Sequence, residues 1–383
     1  MKLLHISDLH IGKRVNGFSM TDDQRYILDE LYGIAAKHCV DGVIIAGDVY
    51  DKTVPTTEAV GILDDFITRL AQRKINVFIV SGNHDSAERL CFGNRIMSDS
   101  RIYIAGEFDG SIPKISLTDS FGRLNIYLAS YLKPSVVNRR LKAQAEGFDD
   151  CMRLVMNKLE IDKNDRNLLV AHQFVTTNGK APESSDSETK FLGGTENIDV
   201  TVFDSFDYVA LGHLHGPQKI GRDTVRYSGS PIKYSFSECR HIKSAVLVEL
   251  REKGNIKIQK IPLTPKREMK TLRASLAQIQ NGETLRSASP NDYVHITLTD
   301  EGGIYDAIGK IRAVYPNVMG LEFDNTHSAQ NSGRLFVDRA SIKYKNPQEL
   351  FCEFYEIQNN ECVNDFQHEL LTKIFCGAEV DTD

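Results

Sequence analysis

A layered α/β fold, joined to a small α+β domain and two terminal helices, is predicted by three observations. Apolar runs rich in β-branched residues recur along the first two thirds of the 383-residue chain. Amphipathic segments of helical period lie between them, and five short polar clusters each follow such a run. Val43-Ile44-Ile45-Ala46 and Val77-Phe78-Ile79-Val80 are apolar without alternation, as expected of strands covered on both faces. In such folds ligands bind beyond the carboxyl ends of the strands, so polar residues just past each strand are expected to share one crevice.

The first strand is expected over Lys2 to Ser7, leading into Asp8-Leu9-His10. A helix from Thr21 to Lys37 is predicted by an N-cap Thr21, acidic Asp22 and Asp23, and Tyr26, Ile27, Leu31 and Ile34 at helical spacing. Gly42 to Ala46 reads as the next strand and ends in Gly47-Asp48. Thr56 to Arg73 repeats the helical pattern through Val60, Leu63, Phe66, Ile67 and Leu70. Strands over Asn76 to Ser81, Asn167 to Ala171 and Tyr208 to Leu211 precede Gly82-Asn83-His84-Asp85, His172 and Gly212-His213-Leu214-His215. Between Thr176 and Asp199 the crowding of Thr, Ser, Gly, Asp and Glu reads as a long surface loop, mobile unless something docks on it.

After Pro262-Leu263-Thr264-Pro265 the pattern changes. Arg267 to Ala274, Asn291 to Thr299 and Val318 to Phe323 read as strands and Ile304 to Val314 as a short amphipathic helix, together a small α+β domain. A polar stretch, Asn325 to Gly333, and a linker ending at Pro347 lead to two helices. The first carries Leu350, Phe351, Phe354, Tyr355 and Ile357; the second carries Phe366, Leu370, Leu371, Ile374 and Phe375. Helices so short need a surface to pack on, either the body of this chain or a partner's groove. The expected division is residues 1–265, 266–333 and 334–383.

A hydrophobic content of 41% is ordinary for a globular protein. No run approaches the roughly 18 apolar residues of a membrane span, and the start reaches His5 and Asp8 before a signal core forms, so a cytoplasmic protein is expected. Seven cysteines without a C-x-x-C pair argue against a zinc ribbon, a redox motif or a disulfide scaffold. A net charge of -6 is unusual for a nucleic-acid protein, but two divalent ions would bring about +4 to a site locally.

Asp8 and His10 stand two apart at a strand end, the spacing that places both side chains on one side to grip an ion. Taken singly, each cluster has a plainer reading: D-x-H as a capping or surface pair, Gly-Asp as turn chemistry, His172 as a satisfied core histidine. Five clusters in this order, all after strands and all offering nitrogen and oxygen ligands, are specific where the single ones are not. Imidazole, carboxylate and amide ligands without thiolate suit manganese, iron, cobalt or zinc better than magnesium. A pair of such ions would activate water for attack on phosphorus. Lys13, Arg14, Lys52 and Arg89 are phosphate-positioning candidates, or solvated surface charges. No G-x-x-x-x-G-K-[ST] loop is present, so any ATP dependence must come from another chain.

The ordered set D-x-H, G-D, G-N-H-D, H and G-H-x-H resembles the signature of the calcineurin-like metallophosphoesterases, a layered β-sandwich flanked by helices. The flanking Ser7-Asp8-Leu9-His10-Ile11-Gly12-Lys13, Gly47-Asp48-Val49-Tyr50-Asp51 and Tyr227-Ser228-Gly229-Ser230-Pro231, with Pro347-Gln348-Glu349-Leu350-Phe351 and the terminal helices, are similar to the DNA double-strand-break nucleases of that superfamily. The resemblance implies Asp8, His10, Asp48 and His215 on one ion and Asp48, Asn83, His172 and His213 on the other, with manganese as the metal. It implies His84 as the group that orients the phosphate and protonates the leaving oxygen, with Asp51 hydrogen-bonded to it; Asp85 would fix the turn.

It further implies a nuclease domain, a DNA-recognising cap, terminal helices that dock on an ATPase with coiled coils, and a homodimer within a heterotetramer. The helix from Thr56 to Arg73 and the segment Arg89 to Met97 are candidates for pairing. The expected function is a manganese-dependent DNA exonuclease and endonuclease. The alternatives are a small-molecule phosphodiesterase on the same scaffold and a non-catalytic DNA-end-binding scaffold.

Overall fold

The apolar runs pair into two six-stranded sheets. One is ordered Ile256–Pro262, Ser244–Leu250, Lys2–Ile6, Gly42–Ala46, Asn76–Val80, Ile102–Ala105; the other is ordered Gln218–Ile220, Arg222–Tyr227, Tyr208–Gly212, Arg166–His172, Gly122–Ala129, Lys114–Asp119. The computed structural model describes residues 1–177, 179–188, 196–324, 346–359 and 362–378. The expected polar stretch from Asn325 to Gly333, the linker through 345, and residues 178 and 189–195 of the expected loop lie outside the described residues, as do the side chains of Ile357 and Cys376. The chain divides into two compact units, Met1–Met269 and Lys270–Asp383.

In the first sheet Lys2–Ile6, Gly42–Ala46, Asn76–Val80 and Ile102–Ala105 run parallel and Ser244–Leu250 joins antiparallel to Lys2–Ile6; in the second the four inner strands run parallel and both edge strands antiparallel. Strand alternation sends Leu3, Ile44, Phe78, Val80, Ile126, Leu128, Leu168, Val170, Tyr208, Ala210 and Val246 into one buried cluster between the sheets. Helices Thr21–Lys37 and Thr57–Gln72 bury Ile27, Leu31, Ile62, Leu63, Phe66 and Leu70. On the second sheet, helix Phe148–Met156 buries Cys151, Met152 and Val155 in a further cluster with Leu169, Ala171, Val209 and Leu211.

Helix bounds follow the capping signals in one case and depart from them in another. Thr56 is the N-cap of the second helix, its side chain accepting from the Ala59 amide, whereas the N-cap of the first is Met20 and Thr21 is already helical. The Thr21 hydroxyl meets Ser19 Oγ at 3.0 Å instead.

The second unit holds a three-stranded sheet, Met269–Ala274, Tyr293–Leu298 and Val318–Phe323, the last two parallel. The expected helix from Ile304 to Val314 is limited to Ala307–Arg312, capped by Asp306. A helix that was not expected, Leu276–Gln280, starts with a capping box between Ser275 and Gln278. Leu272, Ile279, Val294, Ile296, Ile311 and Tyr315 form the core of this unit. The terminal helices span Pro347–Asn359 and Asp365–Ala378; they meet through Phe351 and Phe375 and through Gln348 and Thr372, and leave Phe354, Phe366, Leu370 and Ile374 exposed. Among the described residues no helix is long and apolar enough to cross a membrane.

Candidate metal centre

Parallel strands of both sheets deliver their carboxyl ends to the same edge, and the clusters meet there. Beyond Ile6 and Ala46 the chains stay paired as loops: Asp8 N donates to Gly47 O, His10 N to Asp48 O and Ile11 N to Val49 O. Asp8 and His10 do not alternate as strand residues. Both have positive φ, 54° and 43°, as do Asp48 at 47° and His213 at 113°, and it is these left-handed turns that bring the side chains together. Such conformations cost roughly 1–3 kcal/mol each and persist only where the surroundings enforce them. The enforcing contacts are visible: Gln24, from the first helix, donates to His10 O and accepts from Gly12 N, and Tyr234 OH donates to Leu9 O. His172 is the last residue of its strand rather than the residue after it.

The glycines of the motifs are there because the ligands are close. A β-carbon on Gly47 would lie 2.2 Å from His172 Nδ1, one on Gly82 2.1 Å from Asp48 Oδ1, and one on Gly212 1.7 Å from Ala46 O. No side chain fits at any of the three.

Within the crevice the ligating atoms form overlapping groups. One is Asp8, His10 and His215, another Asp8, Asp48 and His172, a third His10, Asp48 and His84, the atoms of each within 4.8 Å of one another. His10 Nε2 is 3.1 Å from His215 Nε2 and 3.7 Å from Asp48 Oδ2, and Asp48 Oδ2 is 3.4 Å from His172 Nε2. Asn83 Oδ1 stands 3.0 Å from both His172 Nε2 and His213 Nδ1. His172 Nδ1 donates to the Ala46 carbonyl at 2.8 Å, which turns Nε2 toward the carboxylate. The His213 amide donates to Asp8 Oδ1 at 3.0 Å, and the His84 amide to Asp48 Oδ1 at 2.9 Å.

The electrostatics follow from burial. Asp8, His10, Asp48, His172, His213 and His215 are all buried. Burial raises the Asp8 carboxyl to about 6, holds His10 well below the usual imidazole range, and with the charge of His172 lowers His213 to about 3. Burial opposes the charges on Asp48 and His172, but each stabilises the other: Asp48 falls well below the carboxylate range and His172 rises to about 9. His10 Nδ1 is buried with no hydrogen-bond partner among the described residues. Two buried carboxylates, an amide oxygen and four imidazoles converging in this way fit hard to borderline divalent ions. Asp48 belongs to two of the three groups, as do Asp8 and His10.

The remaining expected residues divide. His84 stands beside the cluster, its ring 4.8 Å from that of His10. Its Nδ1 donates to the Asp51 main-chain carbonyl at 3.0 Å, so the expected contact with the Asp51 carboxylate is not made; that carboxylate pairs with Lys13 Nζ at 2.7 Å and lies 3.8 Å from His10 Nδ1. Lys13 is thereby engaged, and Arg14 is turned to the Gly17 carbonyl. Lys52 and Arg89 are exposed. Asp85 is buried and accepts from the Val49, Tyr50 and Gly82 amides, clamping two ligand-bearing loops together.

Sequence reasoning passed over Tyr131, which stacks on His213 and meets His172 edge-on while its hydroxyl donates to Glu196 at 2.7 Å. It also passed over Ser187, Glu188, Glu238 and Lys243 around His215. The described part of the Thr176 to Asp199 loop therefore lies against the centre, where a surface loop was expected. A Ser-x-Ser-Glu run at 185–188 and a lone Lys243 before an apolar strand carry no sequence signal of that placement.

Comparison with known proteins places this geometry. The family model described as Calcineurin-like phosphoesterase matches residues 1–217, and that described as Type 5 capsule protein repressor C-terminal domain matches residues 265–359. The chain is 30% identical over 375 residues, 96% of each chain, to the SbcD subunit of the nuclease SbcCD from Staphylococcus epidermidis. Among solved structures it is similar to a dimetal phosphatase from Danio rerio, with 12% identity, coverage of 69% of this chain and 98% of that one, and a TM-score of 0.41. It is also similar to a phosphoesterase from E. coli, with 13% identity, coverage of 69% and 100%, and a TM-score of 0.27.

Proposed function

The chain belongs to the calcineurin-like phosphoesterase family, as a metal-dependent phosphodiester hydrolase of its SbcD branch, and from that premise we propose that it is a manganese-dependent DNA nuclease subunit. It acts as a double-strand exonuclease and a single-strand and hairpin endonuclease, with an SbcC-type ATPase, in cytoplasmic DNA repair and recombination. The observation that carries this reading is the convergence of Asp8, His10, Asp48, Asn83, His172, His213 and His215 beside His84 at one edge of the sandwich.

In this reading Asp8, His10, Asp48 and His215 hold one ion, and Asp48, Asn83, His172 and His213 the other. When bound, the pair supplies the positive charge that activates water and neutralises the phosphodiester. The chain's own groups do the rest. The hydrogen bond from Nδ1 to Ala46 O fixes the imidazole of His172 and leaves its Nε2 facing the cluster. His84, with Nδ1–H committed to the Asp51 carbonyl, offers its other ring nitrogen, Nε2, as the proton donor to the leaving sugar oxygen.

Residues 266–333 serve as the DNA-recognising cap and 334–383 as the docking element, whose exposed Phe354, Phe366, Leu370 and Ile374 suit a helix-in-groove contact. Phe92 and Ile96, 83% and 77% exposed, support pairing of two copies through the Arg89 to Met97 segment. The test is cleavage of end-labelled linear duplex and hairpin DNA with manganese, beside His84→Ala, alone and with the ATPase. Cleavage that requires both manganese and His84 is the expected result. No DNA cleavage with or without the partner, but turnover of a small phosphodiester, would overturn it.

A further inference from the structure

We propose that residues 185–188 form a strap that fixes the imidazole of His215 and so sets the affinity of the ion held with Asp8 and His10. The inference rests on the two-ion reading above. Three groups hold His215. Its amide donates to Glu188 Oε1 at 2.6 Å, its carbonyl accepts from Lys243 Nζ at 2.8 Å, and its Nδ1 meets Ser187 Oγ at 2.6 Å.

Proton accounting decides the tautomer. Ser187 Oγ also contacts Glu238 Oε1 at 2.5 Å. Glu238 is an acceptor: its Oε2 takes a proton from the Lys243 ammonium at 2.5 Å, the ion pair that keeps it a carboxylate. A hydroxyl has one proton to give, and it goes to Glu238. Ser187 must then accept from His215 Nδ1–H, which leaves the Nε2 lone pair facing the cluster, 3.1 Å from His10 Nε2. Carboxylate-to-imidazole support of this kind usually runs directly; here Glu238 Oε1 is 3.5 Å from His215 Nδ1 and the serine bridges the gap.

The strap is built to stay in place. Ser185, buried, donates from its amide to Glu188 Oε2 at 2.9 Å, and its hydroxyl, 2.8 Å from Ser187 Oγ and 3.1 Å from Glu188 Oε1, gives its one proton to Ser187. The Asp186 amide donates to Ser237 Oγ at 3.0 Å. Lys243 spends its three protons on Glu238, the His215 carbonyl and Ser230 Oγ, so the buried ammonium that anchors Glu238 is fully satisfied.

The experiment is calorimetric titration of the metal-free full chain with manganous ion, for wild type, Ser187→Ala and Ser187→Thr, with the thermal midpoint of each metal-free protein. Ser187 is half-buried between His215 and Glu238, so Ser187→Ala is expected to melt below wild type in a single transition, as the loss of one buried hydrogen-bonding group does. One of two binding events should weaken about tenfold or more, the other should hold, and Ser187→Thr, which keeps the hydroxyl, should restore the first. Two unchanged events in Ser187→Ala, two events weakened alike, or no rescue by threonine would overturn the strap while leaving the two-ion reading intact. A wild-type chain that takes up fewer than two ions overturns both.

Discussion

Replacing Gly82 with alanine perturbs the centre through packing alone. The added methyl would lie 2.1 Å from Asp48 Oδ1 and 2.4 Å from the Asp48 main-chain nitrogen, where ordinary contact begins at 3.4 Å. The methyl and the carboxylate must therefore part by about 1.3 Å, and because one obstacle is backbone, rotating the Asp48 side chain does not relieve the clash. Gly82 has no positive φ, so the substitution adds no backbone strain of its own.

A shift of about 1 Å in a group that positions the reacting atoms costs on the order of 100-fold in turnover, and overpacking of a buried site costs roughly 1–3 kcal/mol of stability. The assay is kcat for a chromogenic phosphodiester at saturating manganese, with urea unfolding of the same protein. Gly61→Ala is the control, a helical glycine with nothing among the described residues within 4 Å of its β-carbon, which should keep its turnover and gain about 0.5–1 kcal/mol. A Gly82→Ala protein with wild-type kcat would refute the argument that crowding holds Asp48 in register.

Three further outcomes are expected. Burial opposes the Asp119 charge, but Arg166 and the chain's own amino terminus bring its carboxyl down to about 2; with the folded value below the unfolded one, a stabilisation that solvent screening holds to about 1 kcal/mol is present above about pH 5 and is lost as pH falls toward 2. Urea midpoints of Asp119→Asn should therefore lie below wild type near neutrality and converge with it in acid, and a gap independent of pH would contradict the assignment. Lys133 is exposed, its Nζ 5.8 Å over the ring of Tyr131, beside His213; Lys133→Ala should lower the slope of log affinity for DNA against log salt by about 1, read by fluorescence anisotropy, and an unchanged slope would remove it from the phosphate path. Ending the chain after Lys345 should abolish capture of the ATPase in a pull-down while sparing manganese-dependent cleavage; a truncated chain that still binds the ATPase would sink the docking role of the terminal helices.

Much of the fold was legible because its signals are local. The uninterrupted apolar run from Val43 to Ala46 and the Thr56 cap with its apolar stripe are each written in a few adjacent residues, and strand order then carries the ligand clusters to one edge. What escaped depends on contacts between distant parts of the chain. Asp8 and His10 were expected to share a side through strand spacing, but left-handed turns, pinned by Gln24 and by the Asp48 loop, bring them together. The Asp51 carboxylate was expected at His84 and is drawn away by Lys13. Tyr131, Ser187, Glu238 and Lys243 lie in segments whose local pattern names no chemistry, and they matter only because the sandwich folds them against His213 and His215. Gly47 does take the positive φ of turn chemistry, but Gly47, Gly82 and Gly212 are also close-approach residues, which distances alone reveal.

The central claim is that Asp48 joins two ions in one centre. Electron paramagnetic resonance of the metal-free chain titrated with manganous ion tests it most directly, for wild type beside Asp48→Ala. The account predicts two ions per wild-type chain with spin-coupled spectra, and in Asp48→Ala loss of the coupling together with weakened uptake at both positions. A single ion in wild type, or two ions whose spectra are uncoupled and indifferent to the loss of Asp48, would contradict it.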